Sequence, residues 1–139
     1  MTLSEKIFAL HAVFPFSQLR TEELLIVATA FSPRSFPAGT TICPAGETLN
    51  KLYVQTRGSL VDDKGRVMQS VVGTTCLLTG QPTPFPIIAG SQGYQGLLLQ
   101  RGKFFTLINE CPVLLSGFFK IPLLGIDYDE TTEPPHHEP

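Results

Sequence analysis

The chain is expected to fold as a mainly β domain with flanking helices, and three features of its sequence say so. Twelve Gly and twelve Pro among 139 residues cut the chain into short segments, which suits short strands better than long helices. Runs of β-forming residues recur through the middle of the chain: Thr41-Ile42-Cys43, Leu52 to Thr56, Leu60-Val61 and Val67 to Val72. Glycines at 39, 46, 58 and 65 each stand at the end of such a run. The corners of an antiparallel barrel or jelly roll require a positive φ, which glycine supplies without strain.

Taken in order, Leu3 to Leu10 reads as a short helix, with Ser4 as its cap and Ile7, Phe8 and Leu10 as its apolar face. His11 closes it, with no neighbour that would make it a ligand or a base. Phe14-Pro15-Phe16-Ser17-Gln18-Leu19 is a Pro-broken connector. Thr21 precedes Glu22 and Glu23, acids that the dipole favours in a first turn. Leu24, Leu25, Ala28 and Phe31 then form a helical stripe that ends at Ser32-Pro33. The train of strands follows, with Asp62-Asp63-Lys64-Gly65 as a hairpin turn and Val67 to Val72 returning. Beyond residue 86, Ile87-Ile88-Ala89 is a strand, Gly90 to Gly93 a turn, and Tyr94 to Leu99 a strand. Arg101 onward is a helix with Phe104, Leu107 and Ile108 inward, and Pro112 suits the first turn of a last helix.

Composition bounds the function. No apolar stretch approaches the roughly 18 residues of a membrane span, and Met1 to Leu10 lacks the layout of a signal peptide. A cytoplasmic protein with no membrane partner is therefore expected. After Lys120 come five acids and no Lys or Arg, which leaves ten bases against seven acids before that point. Those bases are scattered singly, so no nucleic-acid partner is expected. Residues 122–139 read as an acidic, Pro-rich flexible tail. Cys43, Cys76 and Cys111 lie far apart with no C-x-x-C, so buried inert thiols are expected, with Cys76 the one to test for reactivity. His136-His137, with Glu133 and Glu138, reads as a polar end rather than a metal site. No metal and no cofactor are expected.

The stretch from Val72 to Ala89 carries the functional argument. It runs as an apolar strand end, Gly73, a short Thr-Thr-Cys-Leu-Leu segment, a Gly80-Gln81-Pro82 break and an extended run into Ile87-Ile88. With Gly46, the Leu52-Tyr53-Val54 strand and Asn109-Glu110-Cys111-Pro112, it resembles the cyclic-nucleotide-binding domain family from about Leu10 to Phe119. The resemblance implies a double-stranded β-helix barrel at 34–100, helices before it at 3–31 and closing helices at 101–120, in a domain of residues 1–121. In that family a phosphate-binding cassette reads Phe-Gly-Glu, a short helix, then Pro-Arg-Ser/Thr-Ala. Its Glu holds the ribose 2′-hydroxyl and its Arg the cyclic phosphate. Here Gly73 and Pro82 match, but Thr74 stands in place of the Glu and Thr83 in place of the Arg.

The resemblance thus makes Gly73, Thr74, Thr75, Thr83 and Phe85 the candidate ligand-binding residues of a degenerate cassette. A charge-assisted hydrogen bond to phosphate contributes about 1.5–3 kcal/mol, and a bidentate pair more. Without the guanidinium, a micromolar nucleotide site would fall to roughly millimolar. Pro84 and Pro86 have no N–H to offer an anion, and Phe85 sets a large ring where the family has a small residue. Arg57, Arg101 or Lys103 would have to swing in to restore a cation. No Ser-His-Asp or Cys-His set can be assembled, and no paired carboxylates frame a cleft, so no catalytic residues and no enzyme are expected. The expected function is a regulatory or protein-interaction module that binds another protein or a second copy of itself, not cAMP or cGMP. A small-ligand sensor using the same pocket is the alternative. The apolar strip Phe118, Phe119, Ile121, Leu123 and Leu124 is a candidate for packing or dimerisation.

Overall fold

The computed structural model of the chain describes residues 1–119. The tail at 122–139, the His136-His137 pair and most of the apolar strip lie outside the described residues. The elements run α1 (Leu3–His11), a 3-10 turn (Phe16–Gln18), α2 (Thr21–Ala30), β1 (Ser32–Phe36), β2 (Thr41–Cys43), β3 (Lys51–Val61), β4 (Val71–Val72), α3 (Thr74–Thr79), β5 (Ile87–Gln100), α4 (Arg101–Glu110) and α5 (Pro112–Phe119). The strands form one antiparallel sheet in the order β1-β5-β3-β4, with β2 also pairing with β5. These ladders carry the expected antiparallel sheet with flanking helices.

Successive residues on the central strands belong to different cores. Leu52 and Val54 of β3, Val71 of β4, and Leu97 and Leu99 of β5 pack with α1, α2, α4 and α5. Tyr53 and Leu60 of β3, Val72 of β4, and Ile87, Ala89, Tyr94 and Leu98 of β5 pack on the other side with Cys43, Leu49, Met68 and Cys76. Side chains alternate across a strand, so a strand buried on both faces reads as a continuous apolar run. That is why Leu52-Tyr53-Val54 and Leu97-Leu98-Leu99 show no polar alternation.

Several local expectations are corrected. The cap of α1 is Thr2, not Ser4: the Glu5 N–H donates to Thr2 Oγ1 at 3.1 Å, and Glu5 Oε1 accepts the Thr2 N–H at 2.7 Å. Phe8 is 82% exposed, while Leu10 is buried, because the two neighbours lie well apart around the helix. In α2 the buried stripe is Leu24, Val27, Ala28 and Phe31, and Leu25 is outside it. Here the i, i+3, i+4, i+7 spacing outranks hydrophobicity alone. The turns expected at Arg57-Gly58 and Gly90–Gly93 do not end strands. Between Gly58↔Tyr94 and Leu60↔Ala89, Gly90 to Gly93 of β5 stand opposite Ser59 alone. The turn residues make a wide bulge within a continuous strand. At Gly58, φ is +68°, and a Cβ there would run into the Gly93 backbone.

Burial also sets a pH response. All three thiols are buried, and burial pushes Cys43 and Cys111 above the usual thiol range. Burial likewise raises Tyr53, with Arg34 partly opposing, and raises Tyr94 much further. The Tyr94 hydroxyl lies 3.2 Å from both the Val54 and Leu97 carbonyl oxygens, which favours its protonated form. The folded state therefore holds protons that the unfolded chain releases above about pH 8.5 for thiols and about pH 10 for phenols. Stability from these groups is complete below that range and is lost as pH rises through it. Denaturant midpoints should be level near neutrality and fall from about pH 9 upward. A midpoint still level at about pH 11 would contradict this burial.

Candidate ligand cassette

β4 delivers the chain to Gly73, where φ is +113° and a Cβ would press to 2.6 Å from the Lys51 carbonyl oxygen. Only glycine fits that approach. It starts α3, whose residues Thr74 to Leu77 are buried, and Gly80 at φ 74° ends it. The Thr74 and Thr75 hydroxyls are buried, with no hydrogen-bond partner among the described residues. The Thr79 hydroxyl donates to the Thr75 carbonyl at 2.6 Å and accepts the Gln81 N–H at 3.2 Å.

Thr83 is 1% exposed, and it is tied to the Pro44–Glu47 turn rather than open to a ligand. Its N–H donates to Glu47 O at 2.9 Å, its carbonyl accepts the Gly46 N–H at 2.8 Å, and its hydroxyl donates to Pro44 O at 3.3 Å. Cys43 Sγ lies 3.6 Å from the Pro44 and Glu47 carbonyl oxygens of the same turn. Phe85 is half-buried and packs against the core that holds Cys43, Cys76, Tyr53 and Met68. The cassette is therefore tied to the Pro44–Glu47 turn through Thr83 and to the interior core through Phe85.

The cation beside this ring is one that sequence reasoning missed. The Arg66 guanidinium lies 5.2 Å from the Phe85 ring centroid, a cation–π distance. Its Nε donates to Asp62 Oδ2 at 2.8 Å. Asp62 Oδ1 in turn accepts the backbone N–H groups of Lys64 and Arg66, each at 2.9 Å. Asp62 is 2% exposed, so this carboxylate is committed to the hairpin and to Arg66. The acid and base four apart around Gly65 were the signal for it. Of the three bases considered from sequence, Arg101 stacks on Phe105 at 5.0 Å, Lys103 is exposed, and Arg57 lines surface grooves with Gln95.

Compared with solved structures, the chain is similar to the regulatory domain of Toxoplasma gondii PKA with cAMP, at 22% identity and a TM-score of 0.63, covering 78% of this chain and 45% of that one. It is similar to the regulatory subunit of a cAMP-independent protein kinase A from Trypanosoma brucei, at 22% identity and a TM-score of 0.67, covering 82% and 44% respectively. A mutant of that subunit, with threonine to arginine among its three substitutions, is bound to cAMP in the A site. A third likeness is to CBD2 of a PKAR bound to Sp-2Cl-cAMPS, at 21% identity and a TM-score of 0.66, covering 84% and 86%. The chain spans less than half the length of the first two. No protein-family model and no curated protein matches it. The chain has the cyclic-nucleotide-binding domain fold found in regulatory subunits of protein kinase A. No helix among the described residues is long and apolar enough to cross a membrane.

Proposed function

We propose that this chain is a non-catalytic regulatory or protein-interaction module that keeps the cyclic-nucleotide-binding fold and does not hold cAMP or cGMP by the usual arginine and glutamate contacts. The observation that carries this reading is the state of Thr83. By the sequence resemblance it stands in place of the phosphate-binding arginine, and it is buried and spends its hydrogen bonds on the Pro44–Glu47 turn. Phe85 supports the same reading by packing against the interior core, with Arg66 held over it. A nucleotide would have to displace that ring and find a cation already paired with Asp62.

Titration of the full chain with cAMP and cGMP by calorimetry, with thermal shift alongside, is expected to show neither heat nor stabilisation at micromolar ligand. Micromolar binding would overturn the reading. A gain-of-function variant probes its cause. Thr83→Arg alone should bind little, because Phe85, Pro84 and Pro86 remain. Thr83→Arg in a Phe85→Ala background should bind cAMP roughly ten- to a hundredfold more tightly than Phe85→Ala alone, the effect of about 1.5–3 kcal/mol from a charge-assisted bond. The threonine-to-arginine exchange in the cAMP-bound Trypanosoma brucei mutant is of the same kind.

A second reading has its own support in the unpartnered, buried hydroxyls of Thr74 and Thr75. Two buried hydroxyl donors suit a small uncharged ligand better than a phosphate, since residues 73–86 carry no Lys or Arg. A thermal-shift panel of neutral and anionic ligands separates the readings: only the sensor is stabilised, and it prefers the neutral compounds.

A further inference from the structure

We propose that the cavity beside Arg57 is a binding site for a small polyol bearing one anionic group, a sugar acid or a sugar phosphate. Two bulges build it. Thr56 stands out of register between Gln55↔Gly96 and Arg57↔Gln95, and Gly90 to Gly93 stand opposite Ser59 alone. Gly58 and Gly93 take φ of +68° and +75°, and a side chain at Gly58 would strike the Gly93 backbone. Only glycine permits that approach. The second bulge carries Ser91 and Gln92, which line with Ser35 and Arg57 a cavity of about 900 Å³. Small-ligand sites occupy about 300–1,000 Å³, so the space admits a sugar ring. No cassette residue lines it, so the site is separate from the one discussed above.

The lining chemistry selects the ligand class. Arg57 is the one charged residue around this cavity, with two hydroxyls (Ser35, Ser91) and two primary amides (Gln92, Gln95) beside it. Among the described residues, neither the guanidinium nor any of these four side chains has a hydrogen-bond partner, and Arg57 has no ion pair or ring contact. A lone cation with no acid nearby favours a single anionic group, and its planar fork fits carboxylate and phosphate oxygens alike. Hydroxyls and primary amides both donate and accept. A polyol matches such a lining, because each of its own hydroxyls also does both. An extended nucleic acid would bring a row of phosphates to one cation. A fatty acid would set its chain against four polar groups and leave them unmet. Phe36 supplies part of the apolar wall, against which the C–H face of a sugar ring can lie.

The test titrates the nitrogen-15-labelled full chain with four probes: glucuronate, glucose 6-phosphate, glucose and inorganic phosphate. Glucuronate or glucose 6-phosphate is expected to shift the Gly58, Gly93 and Gln95 amides saturably while those of Thr83 and Phe85 stay in place. Whichever of the two saturates first assigns the anionic group as carboxylate or phosphate ester. Glucose and inorganic phosphate should each bind more weakly than that probe. Glucose binding equally well would show that Arg57 reads no charge, and inorganic phosphate binding equally well would show that the polyol is not read; either result overturns the proposal. So does a lack of saturable shifts with both acids, or shifts confined to Thr83 and Phe85. Arg57→Gln, at an exposed position, should weaken binding about tenfold, the lower end for a charge-assisted hydrogen bond. Ser91→Trp, on the exposed bulge, should fill the cavity and abolish binding. Unchanged affinity in either variant would place the ligand elsewhere and overturn the assignment.

Discussion

Arg66→Ala is expected to cost about 3–5 kcal/mol of stability, because it strands a buried carboxylate. The Asp62 side chain is fully buried and the Arg66 side chain is 16% exposed, so their 2.8 Å contact is little screened. Removing the guanidinium takes the 2.8 Å cation from a buried carboxylate that the Lys64 and Arg66 N–H groups also hold. The same substitution uncovers the Phe85 ring, so the cassette should loosen with the hairpin. Chemical denaturation measures the loss. Amide exchange should show protection falling at Thr83 and Phe85 along with residues 62–67. Asp62→Asn/Arg66→Met should recover much of the stability, since removing both charges avoids the stranded one. If Arg66→Ala costs less than about 1 kcal/mol, the pair is behaving as an exposed one and the latch over Phe85 is not a latch.

Phe16→Ala is expected to lose a similar amount, about 3–5 kcal/mol, by opening a cavity where the helices meet. Phe16 is fully buried and lies edge-on to Phe31 at 5.5 Å and to Phe118 at 5.8 Å. Phe118 continues the contact to Phe104 at 5.2 Å. One ring from a three-residue turn thus joins the end of α2 to α5 and, through Phe118, to α4. Ile26→Ala is the comparison: that side chain is 53% exposed, and its removal should change stability by no more than about 0.5 kcal/mol. Thermal or denaturant unfolding of the two variants checks the contrast. Equal losses would mean that the helical layer is packed through a different face.

The elements were legible where local chemistry alone sets them. The glycines at 39, 46, 58 and 65 all adopt positive φ, because no other residue enters that region cheaply. α2, β2 and the closing helices begin and end near the expected residues, since capping, proline and β-branching act over a few positions. Phe104, Leu107 and Ile108 are buried as their spacing indicates. The cassette's outline was equally local: Gly73, a short helix and a proline break follow one another along the chain.

What local patterns cannot encode is which of two favourable local choices the neighbours will accept. Turn-forming residues at Gly90–Gly93 became a bulge because β3 pairs with β5 on both sides of them. Arg66 reaches the cassette because the hairpin at 62–66 folds over Phe85, a contact between residues 19 apart that has no footprint in spacing. Chain order thus determined the kind of domain and set a threonine at position 83. Long-range packing decided what surrounds it, since a buried position is enclosed by whichever groups the folded chain brings to it.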